Sequence, residues 1–169
     1  LLSIEGLPAA NLQHILDTFS RNELFQATED ELYEMAIGVL RLQDRQRIAL
    51  FLRRDSFERF ISCFVYVPRD RYTAELRLRF QKILESSFGG TTIAFASHFG
   101  EETALVRVHV VIRTTPGQIP AYSQAEIVAR LTESARTLGD RLRDALIAAQ
   151  GEQRGLAAAR RYADAFPVG

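Results

Sequence analysis

The chain has 169 residues, 47% of them hydrophobic and 25% charged, a composition typical of a single soluble globular domain. Its 21 basic and 21 acidic residues give a net charge of zero, which argues against nucleic acid or an anionic membrane as partner, because both need clustered positive charge. One cysteine excludes an internal disulfide, and no apolar run approaches the ~20 residues that a membrane span requires. The N-terminus lacks the features of a signal peptide, so we expect a cytoplasmic protein, and both ends indicate a segment of a longer one.

Two helices are predicted at the N-terminus. The first spans Leu7–Phe19 and carries apolar residues at helical spacing. The second runs from about Glu29 to Leu42, and Thr28 with Glu31 forms a capping box at its start. Gly38 weakens this helix slightly. The residues predicted to be buried along it are Leu32, Met35, Ala36, Val39 and Leu40.

A β-hairpin follows, because the apolar period changes to two. Its strands are predicted at Ile48–Leu52 and Arg59–Val67, and Asp55–Glu58 forms the turn between them. Pro68 ends the second strand, since proline has no N–H to donate to a ladder.

The next unit is a helix followed by a second hairpin. The helix spans about Tyr72 to Phe88, and Gly89 with Gly90 ends it. Thr91–Phe99 and Ala104–Arg113 are predicted to be antiparallel strands.

The C-terminal third is predicted to be helical. Ser123 should cap one continuous helix that extends to about Ala149, and a short helix spans Arg154–Ala165. The stripe predicted to be buried along the long helix is Ile127, Leu131, Ala135, Leu138, Leu142 and Leu146.

The predicted order β-β-α-β-β-α indicates an α+β sandwich of ferredoxin-like character, with two helices on one face of a four-stranded antiparallel sheet. The usual fold ends with a strand, and none follows the long helix here. The leading strand Ile48–Leu52 could take that place, which would make the fold a permuted version. We expect three regions: an N-terminal helical segment at 1–44, the ferredoxin-like domain at 45–150, and a linker with a short helix at 151–169.

Alternation along the strands separates two faces of the sheet. The set that should pack on the helices is Ile61, Cys63, Val65, Val67, Val106, Val108, Val110 and Ile112. The other face, which we name the aromatic–basic face, consists of Phe51, Phe60, Phe64, Tyr66, Arg107, His109 and Arg113. Such a face is unusual for bare solvent. We expect it to pack against another domain or subunit; a platform for a small ligand or for single-stranded RNA, or cover by the chain's own helices, are the alternatives.

The residues that could carry chemistry form no recognisable site. His14, His98 and His109 have no partner at metal-ligand spacing, and Cys63 falls among the buried aliphatic residues. No phosphate-binding glycine loop is present, so no catalytic, metal or cofactor residue is predicted.

One loop could bind an anion, because it lies at a predicted helix N-terminus where backbone N–H groups are free. This candidate effector loop consists of Arg69, Arg71, Tyr72 and Thr73. The alternative is a capped turn, with Asp70 or Thr73 as the cap.

The segment Arg53–Tyr72 resembles part of the large bacterial NAD-dependent glutamate dehydrogenases. Further similar segments occur in the same order, at Asn22–Gln26, Glu29–Ala36, Val39–Arg47, Leu50–Asp55, Ala104–Arg113 and Arg160–Pro167. They resemble the regulatory half of these enzymes, N-terminal to the catalytic domain. The family is similar in this region to ACT domains, which have a ferredoxin-like sheet and often bind amino acids. The glycine-containing turn of ligand-binding ACT domains is replaced here by Val67–Tyr72.

The resemblance implies a parent enzyme that converts L-glutamate and NAD to 2-oxoglutarate, ammonia and NADH. It implies no catalytic residue in this segment, since that chemistry needs an active-site lysine and a dinucleotide fold, and Lys82 lies in the middle of a helix. We therefore expect a non-catalytic regulatory or structural module, without a cofactor of its own, that packs on neighbouring domains and on other subunits of a homo-oligomer. An amino-acid sensor is the alternative, and an RNA-binding domain is a weaker one.

Overall fold

The structure is a computed structural model that describes residues 27–43, 47–99, 104–136 and 138–165. The predicted helix Leu7–Phe19 lies outside these ranges. The chain forms two compact units, Leu1–Leu131 and Thr132–Gly169. Their boundary lies inside the region that the sequence assigns to one domain, 45–150. Among the described residues, no helix is long and apolar enough to cross a membrane.

The first described element of the first unit is helix α1, Glu29–Gln43, and its predicted capping box is confirmed. The Glu31 backbone N–H donates to the Thr28 hydroxyl over 3.2 Å, and the Thr28 N–H donates to the Glu31 carboxylate over 2.9 Å. Two of the N–H groups that a helix start leaves without partners are satisfied in this way.

Four strands build the sheet. They are β1 (Ala49–Arg54), β2 (Phe60–Pro68), β3 (Thr91–Phe99) and β4 (Leu105–Arg113). All neighbours are antiparallel in the order β1-β2-β4-β3, so β1 occupies the edge beside β2. The predicted ferredoxin-like sheet is confirmed, in its permuted form, because the first strand stands where the usual fold places its last one.

The turn between β1 and β2 is organised by one carboxylate. Asp55 accepts hydrogen bonds from the backbone N–H groups of Phe57 and Arg59, and from the Arg59 guanidinium at 2.8 and 3.0 Å. The side-chain hydrogen bond from Arg59 is the main reason that the pKa of Asp55 is lowered to about 2. The ionised carboxylate therefore favours the folded turn.

Helices α2 (Ala74–Phe88) and α3 (Gln124–Ser134) lie on the aliphatic face of the sheet, as predicted. The buried residues that fill this layer are Ile61, Cys63, Val65, Val67, Leu76, Phe80, Leu84, Phe88, Val106, Val108, Val110, Ile112, Ile127 and Leu131. The amide of Gln124 donates to the Leu50 carbonyl over 2.7 Å, which attaches α3 to β1. Arg130 donates to the hydroxyls of Ser86 and Ser87, which ties α3 to α2.

The predicted continuous helix from Ser123 to Ala149 is wrong. The structure has two helices there, α3 and α4 (Leu138–Gln150). The last turn of α3 tightens to bonds that span three residues, from Ala135 N–H to Thr132 and from Arg136 N–H to Glu133. The Arg136 guanidinium then bridges Glu133 in α3 and Asp144 in α4. The apolar stripe keeps its spacing through the break, so periodicity alone could not reveal it.

The second unit contains a pair of packed helices. Gly151 links α4 to α5, Glu152–Ala165. The helices approach so closely that a Cβ atom on Gly155 would lie 2.5 Å from the Cα of Ile147. Only glycine fits this position without moving the neighbouring backbone.

Candidate interaction surfaces

Helix α1 covers one half of the aromatic–basic face. Its apolar residues Met35, Ala36, Val39 and Leu42 form one buried cluster with Phe64, Tyr66 and Leu105 of the sheet. Phe64 is only 1% exposed. Of the three alternatives predicted for this face, burial under one of the chain's own helices is the one that applies to this half.

Gly38 lets α1 approach the sheet closely. A Cβ atom at this position would lie 2.5 Å from Cζ of Phe51, well inside normal van der Waals contact. The Phe51 ring in turn makes an edge-to-face contact with Tyr66, with 5.7 Å between ring centres. The glycine that weakens the isolated helix therefore makes room for an aromatic pair beneath it.

The polar groups under and beside α1 serve the packing. Phe64 stacks on the His109 ring with 4.4 Å between centres. Burial raises the pKa of the Tyr66 hydroxyl, while the charge of Arg107 and a hydrogen bond from it lower that pKa. Arg107 and His109 thus support the buried aromatics from the neighbouring strand, β4.

Arg53 is a further residue of this face and was not among those predicted from the sequence. It is 3% exposed, donates to the Ser62 hydroxyl over 3.3 Å, and lies 5.9 Å from the centre of the Phe60 ring. Strand alternation places Arg53 on the same face as Phe51, so the signal was present in the pattern.

The other half of the aromatic–basic face remains open within the described part of the chain. Phe60 is half-buried and Arg113 is exposed, and the register pairs them across β2 and β4. Ala94, Ala96 and His98 of β3 continue this open surface and are all exposed. The predicted interface residues therefore divide into a covered set and an open set.

The candidate effector loop is built as a packed turn. Arg69–Arg71 forms one turn of 3-10 helix, and Thr73 caps α2 by accepting from the Leu76 N–H over 3.0 Å. The Tyr72 hydroxyl shares a 2.6 Å hydrogen bond with Ser97 of β3. The Thr73 hydroxyl is thus engaged as a helix cap, the alternative that the sequence also allowed.

Strand β3 forms the second edge of the sheet, and its apolar side chains are exposed. Ile93 is 46% exposed, Phe95 54% and Phe99 46%. The Arg77 guanidinium lies 4.0 Å from the centre of the Phe95 ring, and that of Arg69 lies 5.7 Å from the Phe99 ring. Arginine stacking shields these rings only in part.

The described groups with potential reactivity do not assemble into a site. Cys63 is fully buried, and burial raises the pKa of its thiol, which disfavours the thiolate. Within the ranges that the structure describes, no three His, Cys, Asp or Glu side chains are grouped so that they could hold a metal ion. His14 lies outside those ranges.

Comparison with known families assigns this fold. Residues 49–138, which are 90 of the 169, match the family described as the glutamate dehydrogenase ACT2 domain. The chain belongs to this family. Residues 8–45 and 145–169 match helical motifs 1 and 2 of glutamate dehydrogenase. Helix α1, which covers the ACT2 sheet, thus lies within helical motif 1, and α5 lies within helical motif 2.

Three curated relatives match nearly the whole chain, and all are named NAD-specific glutamate dehydrogenase. The protein from Halomonas elongata is 34% identical over 98% of this chain. Those from Pseudomonas aeruginosa and Mycobacterium tuberculosis are 31% and 36% identical, each over 94% of this chain. The chain spans about 10% of the length of each relative.

Proposed function

We propose that this chain is a non-catalytic structural or regulatory module of an NAD-dependent glutamate dehydrogenase. The observation that carries the proposal is the match of almost the whole chain to one tenth of three NAD-specific glutamate dehydrogenases. The parent protein would convert L-glutamate, NAD and water to 2-oxoglutarate, ammonia and NADH. The full-length protein should form NADH from L-glutamate and NAD, and complete inactivity with both present would contradict the proposal.

Within that enzyme, the module acts by packing against neighbouring domains or other subunits. The open half of the aromatic–basic face supports this role, because it combines the half-buried Phe60 with exposed arginine and alanine side chains. Aromatic and arginine residues are those that contribute most often to protein interfaces. The polar groups nearest to it already support the fold, as Arg53 does through Ser62.

Variants of the open half test this role in the full-length protein. Phe60→Asp combined with Arg113→Glu should reduce the assembled fraction, measured by native mass and by activity per subunit. Tyr33→Asp is a matched control, since Tyr33 is an exposed aromatic residue of helix α1 and not of the sheet. Equal assembly of the wild-type protein, the double variant and the control would contradict packing through this half of the face.

Amino-acid sensing by the Arg69–Thr73 loop stays a prediction. The cap made by Thr73 and the Tyr72–Ser97 hydrogen bond leave this loop fewer free polar groups for an effector than the sequence suggested. Calorimetry of the full-length protein with glutamate and aspartate, with Arg69→Ala as the comparison, would detect such a site. The RNA alternative is weakened as well, because Phe64 and Tyr66 are buried under α1 and cannot stack on bases.

A further inference from the structure

The most exposed large apolar side chain among the described residues lies at the tip of the β1–β2 turn. Phe57 is 70% exposed there, and none of the other large apolar side chains in these ranges is more than 54% exposed. A single exposed apolar residue is common on a soluble protein. Phe57 differs from such a residue in the way the turn holds it and in the charges that surround it.

The turn is held in a conformation that its sequence does not favour. Glu58, next to Phe57, has a φ of 56°, in the left-handed region that residues with a side chain rarely adopt. Its carboxylate accepts from the Arg54 guanidinium over 2.8 Å and from the Gly117 N–H over 2.9 Å. Its carbonyl accepts from the Thr114 hydroxyl over 2.6 Å. Residues in such conformations persist where the surroundings fix them, and they cluster at functional sites.

These bonds make the tip a preformed surface. Asp55 accepts hydrogen bonds from two backbone N–H groups and from the Arg59 guanidinium within the turn, and Thr114 and Gly117 join the turn to the loop after β4. A partner that buries Phe57 therefore does not have to order a loop first. Preorganisation of this kind lowers the entropic cost of binding.

Arginine and phenylalanine side chains alternate from the tip onto the sheet. The guanidinium carbon of Arg59 lies 5.0 Å from the centre of the Phe57 ring and 5.9 Å from that of Phe60. The guanidinium carbon of Arg53 lies 5.9 Å from the Phe60 ring. Aromatic and arginine side chains are those that most often dominate the binding energy of protein interfaces. The open part of the Phe57 ring is therefore suited to be the anchor of a contact.

The charges around the tip indicate what the partner carries. This end of the sheet has four arginines against two carboxylates: Arg53, Arg54, Arg59 and Arg113 against Asp55 and Glu58. Both carboxylates already accept hydrogen bonds within the turn. Asp55 takes Nε and Nη2 of Arg59, and within the described ranges Nη1 stays available beside the exposed ring. A carboxylate next to an apolar pocket matches this arrangement.

We propose that Phe57 inserts into an apolar pocket with a carboxylate at its rim, in a domain of the parent protein that lies outside residues 1–169. The carboxylate accepts from Nη1 of Arg59 while the pocket buries the ring. A second copy of the same turn does not fit, because it would bring arginines against arginines.

This proposal rests on the proposed function, since it assumes the longer enzyme, and it deepens that function by naming the anchor and the chemistry of its partner. The chain spans about 10% of the length of each relative, so most of such a protein is available to supply the pocket.

Photo-cross-linking in the full-length protein tests the contact. The photoreactive residue p-benzoylphenylalanine replaces Phe57, and mass spectrometry of the peptides locates the product. The expected product joins position 57 to a segment outside residues 1–169 that contains apolar residues together with Asp or Glu. The same reagent in place of Tyr33, an exposed aromatic residue of α1, is the matched control and should not give this product.

A cross-link from position 57 to residues 1–169 of another copy, or no cross-link at all, would overturn the proposal. If the protein still forms NADH from glutamate and NAD in that case, the proposed function stands and only this contact is refuted. Failure of the proposed function itself is recognised separately, by a wild-type protein that forms no NADH.

Two arginine variants test the carboxylate at the rim. Arg59→Lys keeps a positive charge beside Asp55 but removes the planar group that stacks on Phe57 and reaches a second acceptor, so it should lower the cross-link yield by roughly fivefold. Arg54→Lys is the matched control, because Arg54 pairs with Glu58 instead, and it should leave the yield unchanged. Equal yields from the two variants would overturn the proposal.

Discussion

The close contact between Gly38 and Phe51 predicts that Gly38→Ala destabilises the protein when Phe51 is present and stabilises it when residue 51 is alanine. Alanine is favoured over glycine in a helix interior by about 1 kcal/mol, so Gly38→Ala should stabilise α1 considered alone. In the folded chain, however, the new methyl group would lie 2.5 Å from Cζ of Phe51. The ring would have to move by about 1 Å to restore normal contact.

The cost of that movement can be worked out from the contacts. Overpacking typically costs about 1–3 kcal/mol, and displacing Phe51 also weakens its edge contact with Tyr66, worth ~0.5–1.5 kcal/mol. After the gain in helix propensity of about 1 kcal/mol is subtracted, we expect Gly38→Ala to lower the free energy of unfolding by about 0.5–3.5 kcal/mol. In a Phe51→Ala background the obstacle is gone, and the same substitution should raise it by up to about 1 kcal/mol.

Urea unfolding of the four proteins of this double-mutant cycle, followed by circular dichroism, measures both values. Hydrogen exchange at the β1 and β2 amides shows whether the change arises in the sheet that α1 covers. If Gly38→Ala stabilised both backgrounds equally, the close packing of α1 on Phe51 would be refuted.

Four further predictions address the turn, the covered face, the helix pair and the thiol. The pKa of Asp55 is lowered from 3.8 to about 2, so its carboxylate stabilises the fold above its ordinary pKa, and this stabilisation is lost as the pH falls toward 2. Asp55→Asn should therefore lower the Tm at neutral pH, and this difference from the wild-type Tm should disappear in acid. Phe64→Asp buries a charge under α1 and should cost about 3 kcal/mol or more in urea unfolding, whereas Phe60→Asp, at a half-buried position, should cost much less; similar losses would contradict the covered and open halves. Gly155→Ala should speed hydrogen exchange in α4 and α5 and leave the sheet amides unchanged, and slower exchange in these helices would contradict their close approach. Cys63 should resist alkylation until urea unfolds the chain, and rapid labelling of the native protein would contradict its burial.

Apart from the break between α3 and α4, the described elements and their order could be predicted from local patterns. Thr28 and Glu31 identified the start of α1, and the alternation in Phe60–Pro68 assigned each side chain to the correct face. Both signals are short-range, because caps and strand alternation depend on residues only a few positions apart. The absence of a strand after the last predicted helix of the domain left the permuted topology open, and the strand order of the structure has it.

The surface that α1 covers could not be predicted in the same way. Its apolar stripe shows that the helix is buried on one side, but the partner surface is distant in sequence and is selected by shape. The Phe51 ring occupies the space left by the missing side chain of Gly38 only when helix α1 is packed on strand β1. For the same reason Phe64 is buried in the structure, although its place in the pattern equally allowed exposure to another domain.

The rate of glutamate-dependent NADH formation by the full-length protein, measured on separated oligomers, tests the central claim most directly. For the Phe60→Asp/Arg113→Glu variant, a non-catalytic packing module predicts a smaller assembled fraction, while the assembled enzyme keeps the wild-type KM for glutamate and for NAD. A changed KM in a normally assembled enzyme would contradict packing as the way in which this module acts, because the variant would then alter substrate or cofactor binding without altering assembly.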